Sequence, residues 1–169
     1  MSEESGGETG AAPDLRRARI DFVRVRLNSA TYALELGRVE RVLSEPELTR
    51  VPRSPAAIAG VAAVRSDIVS VVEGRTVLGL EPRPAEFAPK LLVLDRGRDE
   101  PTAGLLVDDV VGIDTHHVES IAPVAERENW RPEVGRSWFR AVVDADDRSM
   151  GVLDVSAVLA AATDSSHLP

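Results

Sequence analysis

The chain has 169 residues and a mass of 18.2 kDa, and its 28 acidic residues outnumber its 20 basic ones, so its formal net charge is −8. It contains no cysteine, which excludes disulfides, thiol nucleophiles and cysteine metal sites. The acidic balance argues against a nucleic-acid partner, because phosphate contacts need clustered cations. A phosphate-binding loop of the G-x-x-x-x-G-K type is absent too, since the one lysine, Lys90, follows Pro89.

Composition also bears on where the protein works. The longest uncharged apolar stretch, residues 54–64, is shorter than the ~20 residues of a membrane-spanning helix. Residues 1–18 lack the apolar core of a signal peptide and predict a disordered acidic tail, so we expect a cytoplasmic protein. The shortage of lysine has two explanations, a halophilic source such as a salt-loving archaeon, or GC-rich codons.

Short apolar runs with a period of two follow this tail. Residues 19–27 alternate between valine or leucine and arginine, which is typical of a half-buried strand. The turn signal Asn28-Ser29 leads to a second strand over 31–36. Further strands are predicted at 48–51, 61–64, 68–72, 90–95, 102–107, 139–144 and 149–153. Their spacing of about ten residues is typical of a β-barrel or a sandwich.

Helices are predicted to be few. One is expected over Pro55–Ala59, where Ser54 precedes a proline, and another over Gly74–Leu80. A third begins after Asp154 or Ser156 and ends near Ala162, with an apolar face, and residues 163–169 are expected to be flexible. Prolines at 82, 84 and 89 separate two strand-rich halves, about 19–81 and 88–162, which predicts two small barrels in one unit.

Few side chains in the sequence are suited to metal binding or catalysis. Asp108-Asp109, His116-His117 and Glu119 form the densest group of possible metal ligands. Adjacent histidines on a strand point to opposite faces, so solvated loop residues are the better interpretation. The chain has no G-x-S-x-G motif and few aromatic residues, and we therefore predict neither an enzyme nor a metal site.

The segment Val51–Leu80 is more informative. Two apolar strands flank the polar turn Arg65-Ser66-Asp67, which places one arginine at the tip of a hairpin. Arginine offers a preorganised fork for carboxylates and is frequent at interfaces, so Arg65 is a candidate binding anchor. The alternative is an ordinary exposed turn residue.

These motifs resemble the CheW family of chemotaxis adaptors in bacteria and archaea. The resemblance covers about residues 19–162 in one order and without large insertions. Its motifs are Tyr32-Ala33-Leu34, the prolines 52 and 55 with Gly60-Val61, Arg65 and Leu78-Gly79-Leu80, the strand Ala103–Val110, and Val152-Leu153-Asp154-Val155 with Val158-Leu159. The sequence departs from the family pattern at several positions. Ala63 replaces an asparagine, Ser66 a glycine, Ser70 a proline and Glu73 an aspartate, while Arg41 replaces a glutamate and Arg140 a glycine.

The resemblance implies two five-stranded barrels of the SH3 or OB type packed on a shared core, without catalytic activity, cofactor or metal. It implies an adaptor that couples chemoreceptors to the histidine kinase CheA, by binding the kinase's regulatory domain and the receptor's cytoplasmic tip. The matching partner-binding positions are Val39, Gly60 and Arg65. Gly60 has a structural alternative as a residue needing positive φ or close packing, and Val39 as a core residue. A diverged module that serves another histidine kinase or sensor is the alternative function, and an acidic β-barrel enzyme is a remote one.

Overall fold

A computed structural model of the protein describes residues 14–164. These residues are mainly β-structure, with two α-helices, α1 (Gly74–Val77) and α2 (Val155–Thr163), and several short 3-10 turns. The strands in chain order are β1 (Arg19–Leu27), β2 (Ala30–Glu35), β3 (Val39–Ser44), β4 (Ile58–Val64), β5 (Asp67–Glu73), β6 (Lys90–Leu94), β7 (Ala103–Val107), β8 (Asp109–His117), β9 (Ile121–Pro123), β10 (Phe139–Ala145) and β11 (Arg148–Leu153).

The strands form two sheets. Sheet 1 has the order β8-β1-β2-β11-β10-β9, and sheet 2 has the order β3-β6-β7-β5-β4. The N-terminal hairpin joins the C-terminal strands through a parallel contact between Ala33 and Val152. The expected division into 19–81 and 88–162 therefore does not separate the sheets, and the break at residues 82–89 lies within sheet 2, between β5 and β6.

Apolar side chains on alternating positions form three clusters of buried residues. The largest cluster lies between the sheets and contains Val23, Val25 and Leu27 from one face of β1. Phe22, on the opposite face of that strand, packs in a smaller cluster of sheet 1, because successive strand residues point to opposite sides. Sheet 2 has its own cluster around Val71. The predicted mainly β architecture of two small barrels on a shared core is confirmed.

The local predictions had mixed outcomes. Strand 19–27 has the predicted bounds, and the C-terminal helix begins after Asp154, whose side chain accepts a hydrogen bond from the Ala157 N–H at 3.1 Å. The helix over 55–59 is wrong, because these residues form a turn that leads into β4 at Ile58. Residues 48–51 contribute one bridge, between Thr49 and Val61, instead of a strand.

Three strands were missed, β3, β8 and the three-residue β9, and the predicted ends fall largely beyond the described part. Both β3 and β8 alternate between half-buried and exposed residues, so their apolar signal is weak. The tail predicted over 1–18 lies outside the described residues up to 13, and Leu15–Arg17 forms a 3-10 turn. Of the end predicted to be flexible, residues 165–169 lie outside the description, and Thr163 is the last residue of α2.

One side chain, Arg136, bonds to three backbone carbonyls in the connection from β9 to β10. The guanidinium of Arg136 donates hydrogen bonds to the backbone carbonyls of Val124, Arg127 and Trp130, at 2.7, 2.8 and 2.6 Å. The Trp130 ring packs edge-on against Phe139, with 4.9 Å between centroids. Arg136 thereby fixes an irregular loop against the main core.

Candidate partner-binding surface

The hairpin of β4 and β5 carries Arg65 at its tip. Val64 pairs with Asp67, so Arg65 and Ser66 form a two-residue turn. Alternate residues of both strands, including Ala62, Val69 and Val71, are buried in the core of sheet 2. The exposed Arg65 side chain is therefore held on a packed base, as the sequence predicted.

An apolar residue accompanies Arg65. Ile68 is 78% exposed, and it pairs across the hairpin with Ala63, whose small exposed side chain leaves it uncovered. Hydrophobic periodicity had marked Ile68 as a strand residue but could not tell which face would be covered. An exposed isoleucine next to an exposed arginine is a combination suited to protein contact.

Gly60 is buried and has a packing role in the structure. Its φ is +149°, and a Cβ at this position would lie 2.4 Å from the carbonyl oxygen of Thr49. Thr49 and Val61 exchange two backbone hydrogen bonds of 2.9 Å directly beside it. Only glycine lets the loop before β4 approach this closely, so Gly60 positions the neighbouring surface.

Val39 lies at the other end of sheet 2. It begins β3, pairs with Leu94 and is half-buried against the main core. Since β3 and β4 are the two outermost strands in the order of sheet 2, strand pairing does not bring Val39 beside Arg65.

The departures from the family pattern are accommodated locally. Arg140 forms an ion pair with Glu35 at 2.8 Å, on the surface of sheet 1. Ser66 lies exposed in the hairpin turn, and Arg41 is half-buried in β3. Arg41 makes no ion pair within residues 14–164.

The possible metal ligands do not converge. Asp109 pairs with Arg26 at 3.4 Å, His116 packs beside Phe22, and His117 and Glu119 are exposed. Asp108 is 3% exposed, so its interpretation as a solvated loop residue is wrong. The signal that could have placed it is its position directly after the apolar run of β7.

Asp108 is the centre of a buried charge network. It accepts hydrogen bonds from the Arg75 guanidinium at 2.6–3.1 Å, from Arg83 at 3.0 Å and from the Asn28 N–H at 2.7 Å. Glu73 completes the network by accepting from Arg83 at 2.8 and 3.1 Å. Two guanidinium groups and two carboxylates thus neutralise one another where the β1–β2 turn, α1 and the end of β7 meet.

The network shifts the pKa of two of its members, Asp108 and Arg75. Burial by itself would raise the pKa of Asp108, but hydrogen bonds from Arg75, Asn28 and Arg83 favour the carboxylate and hold the pKa below its ordinary value. The hydrogen bond with Asp108 raises the pKa of Arg75. Asp108 and Arg75 are therefore held in their charged forms, and the network ties the two sheets together.

Within residues 14–164 no helix is long and apolar enough to span a membrane.

Comparison with known proteins gives consistent matches. The model of the CheW-like domain family matches residues 21–163. A probable chemotaxis protein CheW of Rhizobium etli is 23% identical over 148 residues, which are 88% of this chain and 92% of that protein. Protein PilI of Pseudomonas aeruginosa is 29% identical over 97 residues, 57% of this chain but only about half (53%) of PilI. The crystal structure of the scaffolding protein TtCheW from Thermoanaerobacter tengcongensis has the same fold, with a TM-score of 0.70 at 20% identity over 82% of this chain and 90% of that chain.

Proposed function

Since this chain belongs to the CheW-like domain family, a family of non-enzymatic scaffolds, we propose that it is an adaptor that couples chemoreceptors to a CheA-type histidine kinase. The observation that carries the proposal is the family match over residues 21–163. A relative that is named a chemotaxis protein and aligns over 88% of the chain supports it.

The proposed partners are the regulatory domain of the kinase and the cytoplasmic tip of a chemoreceptor. Through them the adaptor would sit in the cytoplasm at membrane-bound receptor arrays. Arg65 is the proposed direct contact, because it is exposed on a packed hairpin. Gly60 supports this surface by letting residues 49 and 50 approach β4, and Val39 would contribute a second patch on β3.

The physical character of the chain suits this role. Transient signalling interfaces are often at or below ~1,200 Å² in total, an area that short hairpins and loops can supply. The two sheets share one core, so a contact on either sheet acts on a connected body.

Co-purification tests the proposal directly. The tagged full chain is incubated with the CheA-type kinase and the receptor signalling domain of its own organism, in buffer that matches the salt of its cytoplasm. We expect a complex that contains all three proteins. No retention of either partner by the wild-type chain contradicts the proposal.

A diverged module for another histidine kinase is the second candidate. It is favoured by the arginines at 41 and 140, which replace a family glutamate and glycine, and by the additional match to PilI. Deletion of the gene separates the two candidates. Loss of spreading on swarm plates supports the chemotaxis adaptor, and normal chemotaxis supports the second candidate.

A further inference from the structure

The outer strand β4 and the loop before it form a surface with its own charge. We call residues 48–66 the basic edge, because they contain three arginines, Arg50, Arg53 and Arg65, and no acidic residue. The whole chain carries a formal charge of −8. This run of three arginines lies between the exposed carboxylates of Glu47 and Asp67 in a chain whose net charge is negative.

The three arginines of the basic edge are free. All are exposed, and none forms an ion pair with another residue of the 14–164 region. Two arginines of sheet 1 behave differently, since Arg24 pairs with Asp114 and Arg140 pairs with Glu35, whereas Arg19 and Arg148 of the same sheet are exposed without an ion pair in the described region. The fold therefore uses some of its arginines for ion pairs on sheet 1 and leaves the three guanidinium groups of the basic edge available.

Two of these arginines occupy backbone positions that ordinarily favour other residues. Three hairpins of the structure have a two-residue turn whose first residue has a positive φ. These residues are Asn28 (58°), Arg65 (56°) and Asp146 (50°). Asparagine and aspartate tolerate this left-handed region, whereas arginine has no such local advantage. Arg65 therefore stands where the other two hairpins carry Asn or Asp.

Arg53 repeats this pattern at the other end of the edge. Its φ is 62°, and it follows Pro52 in a turn closed by the Ser54 N–H on the Val51 carbonyl at 3.4 Å. Proline followed by a residue of positive φ is the arrangement of a type II turn, in which glycine or asparagine is usual at the second of these positions. The turns impose this backbone conformation but not an arginine, which is a reason to look for a role of the side chain.

The basic edge also offers apolar contact. Residues 50–56 with Ile58 and Ala59 line an open groove of about 340 Å³, and Val51 in its wall is 42% exposed. Ile68 lies exposed at the opposite end, beside Arg65. Since β4 has seven residues, the two ends lie roughly 20 Å apart.

From these observations we infer that the basic edge is a docking surface for an acidic segment of a protein partner, with Arg53 and Arg65 as its two charged anchors. Carboxylates of the partner pair with the free guanidinium groups, and its apolar side chains cover Val51 and Ile68. The inference rests on the proposed function, since it specifies the chemistry of the surface that an adaptor would recognise.

A defined peptide tests the inference without knowledge of the natural partner. The probe is a synthetic decapeptide with two glutamates at each end and threonine and valine between them, and the matched control has glutamine in place of glutamate. Both are titrated into the isotope-labelled full chain while amide chemical shifts are recorded. We expect shifts confined to the basic edge and to Ile68 beside it, and about fivefold weaker binding of the glutamine peptide. Equal binding of both peptides, or shifts elsewhere, overturns the inference.

Variants separate binding from folding. Arg53→Asn and Arg65→Asn should each raise the dissociation constant of the glutamate peptide about twofold to fivefold, while the melting temperature stays the same or rises because asparagine suits positive φ. The control Arg148→Asn removes another exposed arginine without an ion pair in the described region, and should leave binding unchanged. Weaker binding together with a lower melting temperature would show a structural role instead.

Co-purification with the kinase tests the proposed function separately from the peptide titration. If the glutamate peptide binds the basic edge but no kinase or receptor is retained, the docking surface stands and the chemotaxis role fails. If the kinase is retained equally by wild type and by the double variant Arg53→Asn/Arg65→Asn, the adaptor role stands and the basic edge is not its docking surface.

Discussion

Replacing Asp108 with asparagine is expected to lower the free energy of unfolding by about 3–5 kcal/mol, the usual cost of removing one partner from a buried ion pair. The Asp108 side chain is 2% exposed, and those of Arg75 and Arg83 are 9% and 7% exposed. Asparagine keeps the shape but removes the charge, which leaves two buried guanidinium groups facing the single carboxylate of Glu73. Its amide nitrogen would also face donors where a carboxylate oxygen now accepts.

Urea denaturation followed by circular dichroism measures this loss. The matched control is Asp109→Asn at the next residue, whose ion pair with Arg26 joins side chains that are about 40% exposed. Exposed pairs contribute about 0–1 kcal/mol, so the control should unfold nearly like the wild type. If both variants lose less than about 1 kcal/mol, the network does not hold the fold together and the reasoning is refuted.

The same variant should change the acid response. The pKa of Asp108 is lowered in the folded state, so its contribution to stability is present above its unfolded pKa of about 3.9 and is lost as the pH falls towards the folded value. The wild type should therefore lose stability below about pH 4 more steeply than Asp108→Asn. Parallel curves for the two proteins between pH 2 and pH 5 would contradict the assigned direction of the shift.

Four further predictions concern the surface and its supports. Arg65→Ala should change the free energy of unfolding by no more than about 0.5 kcal/mol while it weakens kinase retention in the pull-down; a large loss of stability would make Arg65 structural. Gly60→Ala should cost about 1–3 kcal/mol, because its Cβ would meet the Thr49 carbonyl at 2.4 Å, and an unchanged urea midpoint would contradict the packing role. Arg136→Gln should destabilise by about 1–3 kcal/mol through loss of hydrogen bonds to three carbonyls, seen as a lower melting temperature, which Arg136→Lys should not fully restore. If the source is halophilic, thermal unfolding should shift upward with KCl, and greater stability in low salt would disprove that origin.

Individual strands and turns show how much of the fold could be predicted from the sequence. β1 was predicted with its observed bounds because Val23, Val25 and Leu27 alternate with arginines, and burial on one face produces that pattern. β8 escaped prediction because it is an outer strand of sheet 1, paired only with β1, and half of its residues face solvent. The turn at Arg65 was visible from its polar residues between two apolar runs, while the exposure of Ile68 was not.

Sequence alone determined the mainly β class, the absence of thiol chemistry, the capped C-terminal helix and the arginine at the hairpin tip, because each depends on composition or on neighbours along the chain. Tertiary structure decided the rest. The two sheets interleave the ends and the middle of the chain, since pairing of Ala33 with Val152 depends on apolar faces that meet only after folding. The sequence marked Asp108 only as a possible metal ligand, whereas the structure makes it the centre of an ion network. Its arginine partners are 25 and 33 residues away along the chain, so they reach it only after folding.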